Sequence, residues 1–166
     1  EAKKHAAYNI AVLMYEVGDP RQMEKWAYEA LKLMSASDVL KFENEFVLMT
    51  TDLFQRRQFK GSASLSERLL DKVCSVESKN KRVFFKNANV LYLADKEFEK
   101  SRALMSKGQK CNVDQETYFD GQMDLLNNLA EADKWSSFQE LVTSLESQKK
   151  MWGRLIYPTA LLAREM

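Results

Sequence analysis

The chain has 166 residues, 45% of them hydrophobic, and carries 25 Lys and Arg against 24 Asp and Glu, a formal net charge of +1. This balance argues against nucleic acid or an anionic membrane as a partner held by bulk charge. With only five Gly and two Pro, the sequence favours long uninterrupted helices. No run of about 18 apolar residues predicts a membrane span, and no signal-like segment opens the chain.

The two cysteines and the chain ends bear on the cellular location and on whether the chain is part of a longer protein. Cys74 and Cys111 match neither a disulfide framework nor a metal-ligand spacing, so they are predicted to be small, unpaired helix residues, with a reactive thiol at Cys74 as the alternative. Unpaired cysteines favour a reducing, cytoplasmic location. Because the chain starts at Glu1 and stops at Met166 within a helical pattern, we expect it to be a piece of a longer protein.

The first helix pair has the clearest pattern. An apolar stripe at helical spacing ends at Gly18, and Asp19 and Pro20 then provide an N-cap and a first-turn proline for a second stripe. Two antiparallel helices joined by a tight turn are predicted.

Three further pairs follow along the chain. The second is predicted to begin at an Asp38 N-cap and to continue, after a loop of small residues at 60–64, in a helix over about 65–76. The third turns at 95–97 and the fourth at 133–134. Pro158, in a last helical segment, is expected either at the first turn of a helix or at a kink.

The second helix of each pair is expected to start at a bulky or ring residue. These residues are separated by 39, 39 and 37 positions: Pro20, Phe59, Phe98 and Trp135. A steady period of helix, turn and helix predicts a solenoid, in which each pair buries its apolar face against the next. Within one domain, 1–166, the predicted units are 3–36, 38–78, 80–110, 113–148 and a partial unit at 150–166.

The first unit resembles a tetratricopeptide repeat. The resemblance rests on Tyr8-Asn9-Ile10-Ala11, Gly18-Asp19-Pro20 and Ala30-Leu31-Lys32-Leu33. The positions of the turn glycine hold Arg57 and Lys96 in the second and third units. Since the period exceeds the family's 34 residues or so, half-a-tetratricopeptide and Sel1-like repeats stay open. The resemblance implies an all-α, right-handed superhelix of antiparallel helix pairs that binds a protein or peptide.

Residues that could carry chemistry are too scattered to predict an enzyme. His5 is the single histidine of the sequence, so neither a zinc site nor a Ser-His-Asp arrangement is expected. No glycine-rich phosphate loop is present. We therefore predict no catalytic residue, no metal and no cofactor.

Basic clusters at 56–60 and 79–82 lie near aromatic residues. Such a combination suits a carboxylate terminus, an acidic peptide or single-stranded nucleic acid, but the preferred interpretation is solvated turns beside core rings. The Lys, Asn and Arg pattern with which some tetratricopeptide proteins hold chaperone tails is not matched, so that ligand is not predicted.

The predicted function is a scaffold or adaptor that holds a partner's peptide or helix in a groove lined by the first helices. The groove residues are expected to be Tyr8, Asn9, Val12, Tyr15, Phe46, Lys86, Asn89, Val90 and Leu93. Asn9 and Asn89 are the expected backbone clamps. The alternatives are a regulatory or sensor domain of a larger protein and an RNA-binding helical repeat. The end units could also support self-association.

Overall fold

A computed structural model describes residues 2–146 and 152–165, and this part of the chain is all-helical. Its helices in chain order are α1 (Ala2–Glu16), α2 (Pro20–Leu33), α3 (Ala36–Lys41), α4 (Glu43–Gln55), α5 (Phe59–Val73), α6 (Lys81–Ala94), α7 (Phe98–Lys110), α8 (Gln115–Glu131), α9 (Trp135–Glu146) and α10 (Trp152–Glu165). The predicted all-helical class is therefore confirmed for the described residues. The predicted unit limits at 148, 150 and 166 lie outside them.

The helices pack mainly against their neighbours in chain order. The pairs α1/α2, α4/α5, α6/α7 and α8/α9 are in contact, and are called pairs 1 to 4. Successive pairs meet through α1 and α2 with α4, α2 with α5, α5 with α6, and both α6 and α7 with α8. The core thus runs along the chain from pair to pair.

The same turn closes every pair. Its left-handed residue is Gly18, Arg57, Lys96 or Asp133, with φ of 75°, 60°, 57° and 54°. The following N–H bonds the carbonyl five residues earlier, from Asp19 to Met14, Gln58 to Leu53, Glu97 to Tyr92 and Lys134 to Leu129. This bond pattern is that of a Schellman motif. Because the next helix starts two residues after each left-handed residue, the four starts predicted from the repeat period are confirmed, whereas the helix predicted over about 65–76 begins earlier, at Phe59.

The segment 60–64 is helical, so the predicted loop there is wrong. It forms the first turns of α5. The Ser62 hydroxyl is buried and donates to the Thr50 carbonyl of α4 at 2.8 Å. A Cβ at Gly61 would meet the Glu24 carboxylate of α2 at 2.5 Å. Small residues at this point therefore allow close helix approach rather than a turn.

The short helix α3 is missing from the sequence prediction. Ser35, not Asp38, is its N-cap, and the two residues form a capping box in which Asp38 accepts from the Ser35 N–H at 3.0 Å. Lys4 of α1 also reaches Asp38, at 2.8 Å. These hydrogen bonds, led by that from Lys4, hold the pKa of Asp38 well below its usual range.

Pro158 lies inside α10 and is buried, so of its two predicted positions the helix start is excluded.

Cys74 and Cys111 form a disulfide, so the prediction of two unpaired residues is wrong. They are the C-cap residues of α5 and α7 and lie 37 residues apart. Stacking brings equivalent positions of pairs 2 and 3 together, which spacing along the chain does not reveal. The argument for a reducing compartment loses its premise.

Charged and phenolic groups also connect pairs 2 and 3. Lys107 of α7 donates to Glu67 at 2.5 Å and to Asp71 at 2.9 Å, both on α5. The Tyr92 hydroxyl of α6 also donates to Glu67. Although burial alone would raise the pKa of Glu67, the hydrogen bonds from Lys107 and Tyr92 lower it on balance.

The ring of Phe85 fits between two glycines. A Cβ at Gly108 of α7 would come within 2.5 Å of this ring, and one at Gly121 of α8 within 2.9 Å. Neither helix could approach α6 as closely with a larger residue at that point.

The turn residues generate the first prediction. Lys96→Gly should raise the free energy of unfolding by about 0.5–1 kcal/mol, because glycine adopts positive φ without steric cost. Gly18→Ala should lower it by about 1–2 kcal/mol. Urea denaturation measures both. Lys25→Gly within α2 is the control and should be destabilising by about 1 kcal/mol; a loss of stability in Lys96→Gly would contradict the turn assignment.

Asp38 generates a prediction about pH. Since the pKa of this carboxyl is lowered in the folded protein, its contribution to stability is present above the unfolded pKa of about 3.9 and falls as pH drops through the folded value. The stability difference between wild type and Asp38→Asn should therefore shrink between pH 7 and pH values below about 4. Urea denaturation at several pH values measures it, with Asp95→Asn at an exposed turn as control. A difference independent of pH would contradict the assignment.

Candidate functional site

Four of the predicted groove residues are core residues. Tyr8, Phe46, Asn89 and Leu93 are 7%, 0%, 1% and 4% exposed, so their predicted outward position is wrong. Tyr8 stacks on Phe42 with ring centroids 4.2 Å apart. Its burial, followed by the charge of Glu45, raises its pKa to about 12.

The side chain of Asn89, predicted to clamp a ligand backbone, is hydrogen-bonded within the protein instead. Its Oδ1 accepts from the Ser101 hydroxyl of α7 at 2.6 Å, and its Nδ2 donates to the Gly121 carbonyl of α8 at 3.3 Å. The amide therefore connects α6 to both neighbours and is not available to a ligand backbone.

The other five predicted groove residues lie at the surface to different degrees. Asn9, Lys86 and Val90 are exposed, while Val12 and Tyr15 are partly buried against the core. On α6 the exposed stripe has a spacing of four and consists of Arg82, Lys86, Val90 and Ala94. A role in binding stays a prediction for all five.

Two of these residues, Lys86 and Val90, line a pocket of about 270 Å³ where α4, α5 and α6 meet. Its lining, which defines the α4/α6 pocket, consists of Thr50, Thr51, Phe54, Ser62, Lys86, Asn87, Val90 and Leu91. Phe54 and Val90 remain 47% and 41% exposed. The pocket thus has apolar walls that the core leaves uncovered.

The polar lining of the pocket is largely occupied within the protein. Thr50 and Thr51 both donate their hydroxyl hydrogen to the Val47 carbonyl, at 2.9 and 2.8 Å. Asn87 is half-buried beside them. Lys86 and Asn87 are therefore the lining residues best suited to meet a polar group of a ligand.

Lys86 is the one charged residue among those that line the α4/α6 pocket. Its positive charge also interacts with Asp124 on α8. Burial and the neighbouring Asp120 raise the pKa of Asp124, and Lys86 opposes that rise. The exposed stripe of α6 is accordingly basic, while α8 beside it carries carboxylates.

Sequence reasoning missed Phe54, Thr51 and Asn87. Phe54 occupies the last turn of α4, where its ring touches that of Phe59 with centroids 5.6 Å apart. Its position in the sequence, directly before the turn that contains Arg56 and Arg57, could have indicated an exposed aromatic residue. Asn87 was missed because the predicted register placed the clamp two residues later, at Asn89.

A larger, open depression of about 680 Å³ lies beside the turns of pairs 3 and 4. Three lysines and two glutamates are among its lining residues, and Lys100 pairs with Glu97. Its lining mixes charges of both signs, so it offers less distinctive chemistry than the α4/α6 pocket.

Comparisons with protein-family models, with curated proteins and with solved structures find no match for this chain. Within the described residues, no three His, Cys, Asp or Glu side chains group in a way that could hold a metal ion. Over the same residues, no helix combines the length and apolarity needed to cross a membrane.

The new placement of the groove residues can be tested by stability. Phe46→Ala should lower the free energy of unfolding by about 3–5 kcal/mol, because a fully buried ring is removed from the core. Val90→Ala, at a partly exposed position, should change it by less than about 0.5 kcal/mol. Urea denaturation compares the two. Similar losses in both variants would contradict the division into core and surface.

Proposed function

We propose that this protein is a non-enzymatic protein-interaction module whose α4/α6 pocket holds an apolar side chain of a partner's peptide or helix. The exposure of Phe54 and Val90 around the pocket carries this proposal. Removing such apolar surface from water favours association, and buried anchors of this kind dominate many interfaces.

The size of the pocket supports an anchor residue rather than a cofactor. At about 270 Å³ it lies just below the range of about 300–1,000 Å³ that is usual for small-molecule sites. A single Leu, Met or aromatic side chain is the ligand group of suitable size and polarity.

The charge on α6 supports an acidic residue beside that anchor. Lys86 lines the pocket, and Arg82 is exposed one turn before it. A carboxylate next to the anchor would meet these cations, and the Asn87 amide is placed to bond the ligand backbone.

We further propose that the helix pairs form a right-handed tetratricopeptide-like superhelix. Two observations support this arrangement: the left-handed residue of the turn within each pair recurs after 39, 39 and 37 positions, and the principal contacts join nearby helices. The regulatory-domain and RNA-binding alternatives remain predictions, since no feature of the described residues favours either.

A peptide-display library panned against the wild-type protein tests the proposed function. Enriched peptides should share one large apolar residue next to Asp or Glu. Their affinity should fall about tenfold or more in Val90→Asp, because a charge would enter the apolar wall. Lys86→Glu should weaken them in a salt-dependent manner.

Two exposed positions away from the pocket provide matched controls. Leu33→Asp and Lys25→Glu, both on α2, should bind the same peptides with wild-type affinity. Peptides that bind Val90→Asp as well as wild type would contradict the pocket assignment. No enrichment over an unrelated helical protein would contradict peptide binding itself.

A further inference from the structure

We propose that the Cys74–Cys111 disulfide is a redox switch for the α4/α6 pocket, and that its reduction loosens the first turns of α6 and weakens binding there. This inference rests on the proposed function, because it concerns the regulation of the same pocket.

The disulfide joins the two helix pairs that line the pocket, at the end of α5 opposite to Ser62. Cys74 ends α5 and Cys111 ends α7, with Cα atoms 4.4 Å apart. Between them in the sequence lies α6 (Lys81–Ala94), which contributes one wall of the pocket, while α4 and α5 contribute the others. The crosslink therefore joins pairs 2 and 3, the two pairs whose relative position sets the width of the pocket.

Lys81 links α6 directly to this crosslink. Its ammonium donates to the carbonyl of Cys74 at 2.9 Å and to that of Cys111 at 3.0 Å. Both carbonyls belong to helix C-terminal ends, which attract a cation. One ammonium can bond both only while the two helix ends stay together, and the disulfide holds them together.

The effect reaches the pocket because α6 is a continuous helix. Lys81 is its first residue, and Lys86 and Val90 follow on the same helix. A shift of the first turns therefore moves the wall that carries both pocket residues.

The reduced protein is expected to remain folded. Other contacts between pairs 2 and 3 do not involve the cysteines: Glu67 of α5 accepts hydrogen bonds from Lys107 of α7 and Tyr92 of α6. The α5 and α6 helices are also in direct contact. Reduction should thus loosen the packing between pairs 2 and 3 without unfolding either pair.

The chemistry is ordinary thiol–disulfide exchange with a dithiol as reductant. Cys74 is partly exposed and Cys111 is fully buried, so the attacking thiolate reaches the Cys74 sulfur first. That attack forms a mixed disulfide and expels Cys111 as a thiolate, which takes up a proton. The second thiol of the reductant then releases Cys74, so two electrons reduce the protein disulfide while the dithiol becomes a cyclic disulfide.

Hydrogen exchange followed by mass spectrometry tests the loosening of α6. Amides of residues 82–87 should exchange about tenfold faster after treatment with dithiothreitol, while α1 and α2 stay unchanged. The Cys74→Ser, Cys111→Ser double variant should exchange like the reduced protein and should not respond to dithiothreitol. Exchange in 82–87 within about twofold of the oxidised protein would overturn the inference.

A variant elsewhere separates the switch from general loss of stability. Leu145→Ala opens a cavity in α9 and should lower the melting temperature without selective exchange at 82–87. If this variant exposes 82–87 as strongly as reduction does, local control by the disulfide is refuted.

Binding of the anionic dye anilinonaphthalene sulfonate reports on the pocket itself. The affinity of the dye should fall in Val90→Asp, which tests the proposed pocket. It should also fall about threefold or more when the wild-type protein is reduced, which tests the switch. Loss in Val90→Asp with no response to reduction would overturn the switch alone. No loss in Val90→Asp would refute the pocket, and regulation of it would fall with it.

Discussion

The structure depends on one backbone constraint, the left-handed residue that ends the first helix of each pair. With this residue at positive φ, the next N–H can reach back five residues and close the helix, and the second helix then starts two residues later. The same geometry appears with Gly18, Arg57, Lys96 and Asp133. Its recurrence makes each pair a similar hairpin, so that equivalent faces are presented to successive pairs.

Contacts between successive pairs follow from that similarity. The Lys107 ammonium reaches Glu67 across 40 residues, Lys72 donates to the Met34 carbonyl across 38, and Cys74 joins Cys111 across 37. Each of these separations is about one helix pair. Contacts between residues far apart in the sequence therefore join adjacent helix pairs. The polar contacts among them reinforce an apolar core that continues from one pair to the next.

The candidate site arises where this regular packing leaves surface uncovered. Between α4 and α6 no further helix of the described residues covers the side chains of Phe54 and Val90, whereas Asn89, directly before Val90, is sealed between α7 and α8. The same helix thus provides a core face and a ligand-facing stripe. The disulfide and Lys81 lie at the start of this helix, which is why its redox state and the shape of the pocket are connected in our proposal.

The sequence by itself determined the helical class and the four starts at Pro20, Phe59, Phe98 and Trp135, because caps, turn residues and apolar spacing act within a few positions. It also identified Lys86 and Val90 as surface residues. Only the tertiary structure decided that Phe46 and Asn89 are buried and that Cys74 meets Cys111. A helix with apolar residues on several sides does not reveal which side meets a neighbour, since the rotation of each helix is fixed by packing against helices that lie a whole pair away.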